Sequence, residues 1–435
     1  MIFFLLIGYA CIFWFLCYKR PILALASSFA FCPVLISVTD GGLNLSLSDL
    51  NILLCLPLLL LGRRDLRRTI GLGPLTAPIW AYLIVCLLSS AIASHWDSAI
   101  QTWFQMVLYF IITTFVFANF CKFKDLTLIP YYAVCVGTLW AIVGLGTNFN
   151  SLAGAKNAFG ASLSTVLLII FCLYGAWSSK PAHLRIKAEG KYLAIAGVIV
   201  FTGLVFSLSR GAWLGTICGL TIISIYTRTY RLLFKLVLGV IPVGAVAWFM
   251  LPPQLQFYAL NFSSSAWNIQ QRYKSVTLAQ SYFNQDPLWG AGMGLRKTYD
   301  ATNIIYSTLA ETGIIGLLAF ASIFIVFYKW TWDLRKEITP EDPRFVFISM
   351  AVGLLTSRLM HGMVDHYWSR GVITMVWASI GMVLCLQRTL NAAPVQTAMR
   401  QMQQGMPQRR GAPMNSRRPR QRRAPVRRAT LRRGP

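Results

Sequence analysis

Apolar runs long enough to cross a bilayer alternate with short polar connections along most of this chain. Thirteen runs stand out, at 2–17, 21–38, 48–62, 75–94, 102–121, 127–146, 160–178, 191–208, 211–226, 232–251, 303–328, 345–364 and 370–386. A helix needs roughly 20 apolar residues to span the hydrocarbon core, and helices satisfy their own backbone there without water. The pattern predicts an all-α polytopic membrane protein with about 12–13 transmembrane helices. The run from Ile2 to Cys17 has no basic segment before it and no small-residue cleavage site after it, so it is expected to be a retained helix rather than a signal peptide. One connection differs from the rest. The stretch from about Leu251 to Thr302 is long and lacks strand alternation, and loops of that kind are usually functional or partly helical. No repeat of helices is visible, which counts against the inverted-repeat transporters.

Charge then orients the helices. Only 12% of residues are charged against 56% hydrophobic, about half the charge of a soluble domain. Thirty-two of the forty Lys and Arg fall on alternate connections. These are Lys19/Arg20, Arg63/Arg64/Arg67/Arg68, Lys122/Lys124, Lys180/Arg185/Lys187/Lys191, Arg228/Arg231/Lys235, Lys329/Arg335/Lys336/Arg344, and a tail with thirteen arginines between Arg388 and Arg433. Positive charge marks the cytoplasmic side, so the N-terminus is expected outside and the tail inside. Half of the formal +26 belongs to that tail. From Asn391 it is rich in Arg, Pro, Gln and Met without hydrophobic periodicity, a composition that predicts a disordered segment drawn to anionic headgroups. The ten cysteines lie in or beside apolar runs without metal-type spacing, and free thiols are expected.

The eight remaining cations are Lys156, Arg210, Arg272, Lys274, Arg296, Lys297, Arg358 and Arg370. Seven follow the eighth run, so the outer face of the C-terminal half reads as a basic site and the N-terminal half as scaffold. The expected divisions are a scaffold at 1–206, a functional membrane region at 207–390 that includes the outer loop 252–302, and the tail at 391–435. Arg210 lies in Ser207-Leu208-Ser209-Arg210-Gly211-Ala212-Trp213, at a helix boundary. Guanidinium binds phosphate oxygens in a bidentate way, and Gly211 permits close backbone approach. The alternative is an interfacial arginine snorkelling to headgroups. Arg358, His361 and Asp365 fall at i, i+3 and i+7 and share one helical face, with His366 and Arg370 continuing outward. An ionisable group inside an apolar span marks a functional pathway or a partnered network. Here it reads either as an Arg–Asp lock between helices or as an acceptor-side base. Glu311, followed by Gly313 and Gly316, either pairs with an outer arginine or favours the positive end of its helix.

Three segments carry a resemblance. The 207–213 segment is similar to the TxSRxxW-type signature of O-antigen ligases and O-antigen polymerases. Arg272, followed by Gln285-Asp286-Pro287-Leu288-Trp289-Gly290-Ala291-Gly292-Met293-Gly294, resembles the family's arginine and glycine-rich stretch in the large periplasmic loop. The segment from Thr302-Asn303 through Glu311, Gly313 and Gly316 to Leu318 resembles the family's HNxxLxxLxExGxxGLL. Their order, the helix count and the long loop agree with the family.

The resemblance implies a multi-pass protein of the bacterial inner membrane with a GT-C-like fold. It implies metal-independent glycosyl transfer from an undecaprenyl-pyrophosphate-linked glycan to a hydroxyl of a glycan, lipid or protein acceptor, with no cofactor. Arg210 and Arg272 would bind the pyrophosphate, and Arg296 is added on its charge and position. Gly290, Gly292, Gly294, Glu311 and Arg358 would support the site. The family's histidine before Asn303 is replaced here by Thr302, whose hydroxyl does not act as a base as imidazole does. Thr302, Asn303, His361 and Asp365 are therefore the catalytic candidates, with Asp300 nearby. Two other readings remain. A polyprenyl-phosphate-monosaccharide glycosyltransferase is expected to carry acidic residues in its first outer loop, where this chain has only Asp40. A transporter or flippase of lipid-linked glycan is expected to spread charged or broken helices through both halves.

Overall fold

A computed structural model describes residues 2–18, 20–34, 46–61, 71–120, 126–147, 156–250, 253, 256–257, 267–295, 301–338, 342, 344–365, 367–368 and 371–405. The chain divides into two compact units, Met1–Thr389 and Leu390–Pro435. Among the described residues the regular elements are all helical. They are α1 (Ile2–Tyr18), α2 (Pro21–Ala30), α3 (Leu47–Leu61), α4 (Thr76–Ala91), α5 (Trp96–Val107), α6 (Thr114–Phe120), α7 (Ile129–Gly146), α8 (Lys156–Ser179), α9 (Lys187–Phe206), α10 (Arg210–Thr227), α11 (Tyr230–Met250), α12 (Trp267–Gln285), α13 (Ile304–Glu337), α14 (Phe345–Gly362) and α15 (Val372–Gly405).

Each of the thirteen apolar runs carries a helix. The run at 102–121 belongs to α5 and α6, joined by one π-helical turn at Leu108–Thr113. Eight helical stretches among the described residues are long and apolar enough to cross a membrane, and the protein is an all-α, multi-pass membrane protein on that evidence. α9 has 20 residues. At about 1.5 Å per residue it is about 30 Å long, the thickness of the hydrocarbon core.

The long loop is partly helical, as its length suggested, and contains α12, whose polar surface gave no apolar stripe from which to place it. Two expectations change. The eleventh run continues beyond 328 as α13 to Glu337, ending in Arg335 and Lys336, cations that suit a helix C-terminus. The last helix does not stop before Asn391: α15 runs to Gly405 through Ala, Gln, Met and Arg, which are good helix formers. Residues 406–435 of the expected disordered tail lie outside the described residues.

The packing has a clear centre. α8, α14 and the 372–390 part of α15 each have 83% of their spanning window buried, against 33–50% for the other spans. α10 makes its most extensive contact with α14. The reason is a stripe of small residues. Gly211, Gly215 and Gly219 recur every fourth position on α10 and face His361, Ser357 and Gly353 on α14. The two series run in opposite directions, so the helices are antiparallel. A Cβ on Gly215 would lie 2.6 Å from the Ser357 carbonyl oxygen, and one on Gly219 would lie 3.0 Å from that of Gly353. Small residues let backbones approach in a membrane, where no hydrophobic force draws helices together. Thr216 Oγ1 donates to Ser164 Oγ at 2.7 Å, and Ser164 and Ser357 hydroxyls meet at 3.1 Å, so α8 joins the pair through buried hydroxyls.

α13 is broken. Gly313 has φ 62 and ψ −165, a conformation essentially confined to glycine. A break would orphan backbone groups, and the 287–294 loop satisfies them. Ala291 N–H donates to Ala310 O at 2.8 Å, Gly292 N–H to Glu311 O at 3.2 Å, and Ile314 N–H to Pro287 O at 2.9 Å. The glycine-rich motif and the Glu-x-Gly motif therefore form one structural joint. α4 completes it, with Ser89 Oγ donating to Glu311 O.

Candidate functional site

The segment before α10 turns sharply. Leu208 has φ 51 and packs with Phe206, Trp213 and Trp248. Trp213 Nε1 donates to Leu204 O at 2.9 Å, satisfying a carbonyl at the end of α9. This turn delivers Arg210 as the first residue of α10, with a half-buried side chain. It lies a full helix length from Lys187 and Lys191 at the other end of α9. Gly211 beside it lies against His361, whose Cδ2 would be 2.6 Å from an added Cβ.

α12 supplies the second arginine. Ala279 is buried with Ala301 and Ala310, which seats α12 on the first part of α13. Two turns earlier, Arg272 reaches the end of α14, where Nη2 lies 3.4 Å from Asp365 Oδ2. The Asp365 side chain is 3% exposed and that of Arg272 35% exposed. The two motif arginines, 62 positions apart in the numbering, thus border the same end of α14.

Arg358 and His361 lie on α14 as expected, but the helix ends at Gly362 and Asp365 sits in the turn beyond it, so the three meet across the helix end and not along one helical face. Arg358 is buried at 1% exposure, donates from Nε to Tyr367 O at 2.6 Å, and stacks 5.5 Å from the Tyr367 ring centroid. Its Nη1 lies 2.9 Å from His361 Nδ1. His361 Nε2 is 3.9 Å from the same Asp365 oxygen that Arg272 approaches. Tyr367 was not anticipated, because a tyrosine just past an apolar run looks like an interfacial anchor. Burial pushes its phenol above the usual range, so it stays protonated. Ser209 Oγ and His361 Nε2 are buried and have no hydrogen-bond partner among the described residues.

Asn303 is the N-cap of α13. Its Oδ1 accepts from Ile305 N–H and Tyr306 N–H at 2.9 and 3.2 Å, and its Nδ2 donates to Met363 O at 2.9 Å. It thereby ties α13 to the end of α14, beside Asp365. Thr302 precedes it with φ 48, left-handed and unusual for a β-branched residue. Glu311 is buried at 1% exposure, and its Oε1 accepts the Gly294 N–H at 3.1 Å. Gly290, Gly292 and Gly294 have φ 72, 105 and 94 and press on α13, Ala93 and the start of α5 respectively, so their place is in the joint. Arg296, Asp300, His366, Arg370 and Asp40 lie outside the described residues. Among the described residues no group of three or more His, Cys, Asp or Glu is placed to hold a metal ion.

The assembled geometry brings Arg272 to Asp365 beside a buried Arg358–His361 pair, with Gly211, the residue after Arg210, against His361. No protein-family model matches this chain, and no curated protein matches it.

Proposed function

We propose that the protein is a membrane glycosyltransferase that moves a glycan from a polyprenyl pyrophosphate to an acceptor hydroxyl at the periplasmic face, in the manner of the O-antigen ligases and polymerases. One observation carries the reading. Arg272, from the long loop, meets Asp365 at the end of α14, where Gly211 next to Arg210 also packs on His361. Residues from all three resembling segments border this point, since Asn303 caps α13 against Met363.

In this reading the donor's pyrophosphate lies between Arg210 and Arg272. The acceptor oxygen attacks the anomeric carbon, the bond to pyrophosphate breaks, and the two guanidiniums hold the negative charge that develops on the leaving oxygen. Preorganised cationic donors of this kind stabilise the transition state more than the ground state. The α12 helix and the jointed α13 hold Arg272 in place, which suits a site that needs fixed geometry.

The test is replacement of each arginine by lysine, which keeps charge and loses the planar fork. Each charge-assisted contact contributes about 1.5–3 kcal/mol, so Arg210→Lys and Arg272→Lys are each expected to cut transfer by roughly ten- to a hundredfold at unchanged membrane abundance. Rates with and without EDTA are expected to agree. Full activity in both variants would remove the arginines from the donor site and with them this reading.

A further inference from the structure

We infer that Arg358 locks His361 as a neutral hydrogen-bond donor, and that Asp365 is the group that takes the proton of the acceptor hydroxyl. The second part rests on the glycosyl-transfer reading; the first does not.

The argument begins with what guanidinium is able to do. It carries five N–H donors and no acceptor. Arg358 Nη1 lies 2.9 Å from His361 Nδ1, so Nδ1 presents a lone pair to it. A neutral imidazole with an unprotonated Nδ1 carries its proton on Nε2. The lone pair that remains is already used by Arg358, and His361 has none left with which to act as a base. Arg358 is itself fixed by the Tyr367 carbonyl and ring, so turning the pair around would break a buried charged contact.

The Nε2 atom shows where the donated proton points. It is buried and lacks a hydrogen-bond partner among the described residues. At 3.9 Å, Asp365 Oδ2 is one small adjustment from accepting from it. Arg272 approaches the same oxygen at 3.4 Å. Asp365 Oδ2 is thus approached by two donors, one from within the bundle and one from α12. That arrangement orients the carboxylate. Gly211 lies against the Cδ2–Nε2 edge of the imidazole.

During transfer the acceptor O–H proton passes to the Asp365 carboxylate as the acceptor oxygen bonds to the anomeric carbon. The bond from that carbon to the pyrophosphate oxygen breaks, and its electron pair leaves with the pyrophosphate. The carboxylic acid then returns its proton to water. Asp365 is the catalytic residue, while His361 and Arg358 are positioning residues.

The experiment uses the full chain, labelled with ¹⁵N-histidine, in lipid nanodiscs. The His361 resonances are identified by their loss in His361→Gln. The expected wild-type spectrum shows a protonated Nε2 and an unprotonated Nδ1 from mildly acidic to mildly alkaline buffer. A proton on Nδ1, or an imidazolium, would overturn the first part. The same preparations are then given a polyprenyl-pyrophosphate-linked glycan and an acceptor. His361→Gln keeps an N–H near Nε2 and has no basic nitrogen, so it is expected to lose no more than about tenfold, whereas Asp365→Asn loses about a hundredfold or more and Asp365→Glu regains part of it. Equal loss in His361→Gln and Asp365→Asn, at equal membrane abundance, would make His361 the base and overturn the second part. A wild-type protein with the expected tautomer and no turnover would overturn the transfer reading while the Arg358–His361 assignment stands.

Discussion

Thr302 and Asn303 are neighbours at the entry to α13, and the fold uses them in opposite ways. Asn303 is fully engaged as a cap, with two backbone N–H groups on its Oδ1 and the Met363 carbonyl on its Nδ2. Asn303→Ala is expected to cost about 0.5–2 kcal/mol of stability, seen as a lower unfolding temperature in detergent. Thr302 holds a left-handed backbone that its branched side chain disfavours. Thr302→Gly is expected to raise the unfolding temperature, because strain of this kind costs on the order of 1–3 kcal/mol and glycine removes it. An unchanged midpoint in both variants would mean that the entry to α13 is held by something else. The spacing of Arg358, His361 and Asp365 made their polar cluster visible in the sequence. Tyr367 was not visible in this way, because its carbonyl and its ring, rather than its hydroxyl, serve the site.

At the scale of elements, the apolar runs predicted helices well because the bilayer leaves the backbone little alternative. What escaped was what the period of hydrophobicity does not encode. α12 is polar on most of its surface and anchors through Ala279, a residue too small to mark a stripe. The break at Gly313 sits inside an apolar run, and its repair comes from the preceding loop, through Pro287, Ala291 and Gly292. Gly313→Ala would place a Cβ on the Leu288 carbonyl in addition to its φ of 62, and is expected to lose folded protein. The α10–α14 stripe gives a second test. Gly215→Val would press on the Ser357 carbonyl, whereas a Cβ on Gly239 would meet nothing within 4 Å. Overpacking costs typically about 1–3 kcal/mol, so Gly215→Val is expected to reduce the monodisperse peak in size-exclusion chromatography while Gly239→Ala keeps it. Equal behaviour of the two would show that α10 and α14 are not held together by close backbone approach.

For the molecule in its membrane, charge distribution is the organising fact. Lys187 and Lys191 begin α9, and Arg210 follows its other end, so the lysine-rich connection and Arg210 lie about 30 Å apart across one helix. The alternating charge pattern predicts that the 272 region lies outside and the C-terminal arginines inside. Single cysteines introduced at Tyr273, beside Arg272, and within 406–435 are expected to react with a membrane-impermeant thiol reagent from opposite sides. Labelling of both from one side would contradict the orientation. The most direct measurement of the central claim is turnover by purified protein in liposomes supplied with a polyprenyl-pyrophosphate-linked glycan and an acceptor. The expected result is release of free polyprenyl pyrophosphate together with a lengthened or glycosylated acceptor, reduced roughly ten- to a hundredfold in Arg272→Lys. Movement of intact lipid-linked glycan across the bilayer, with no polyprenyl pyrophosphate released, would contradict the account and make the protein a transporter.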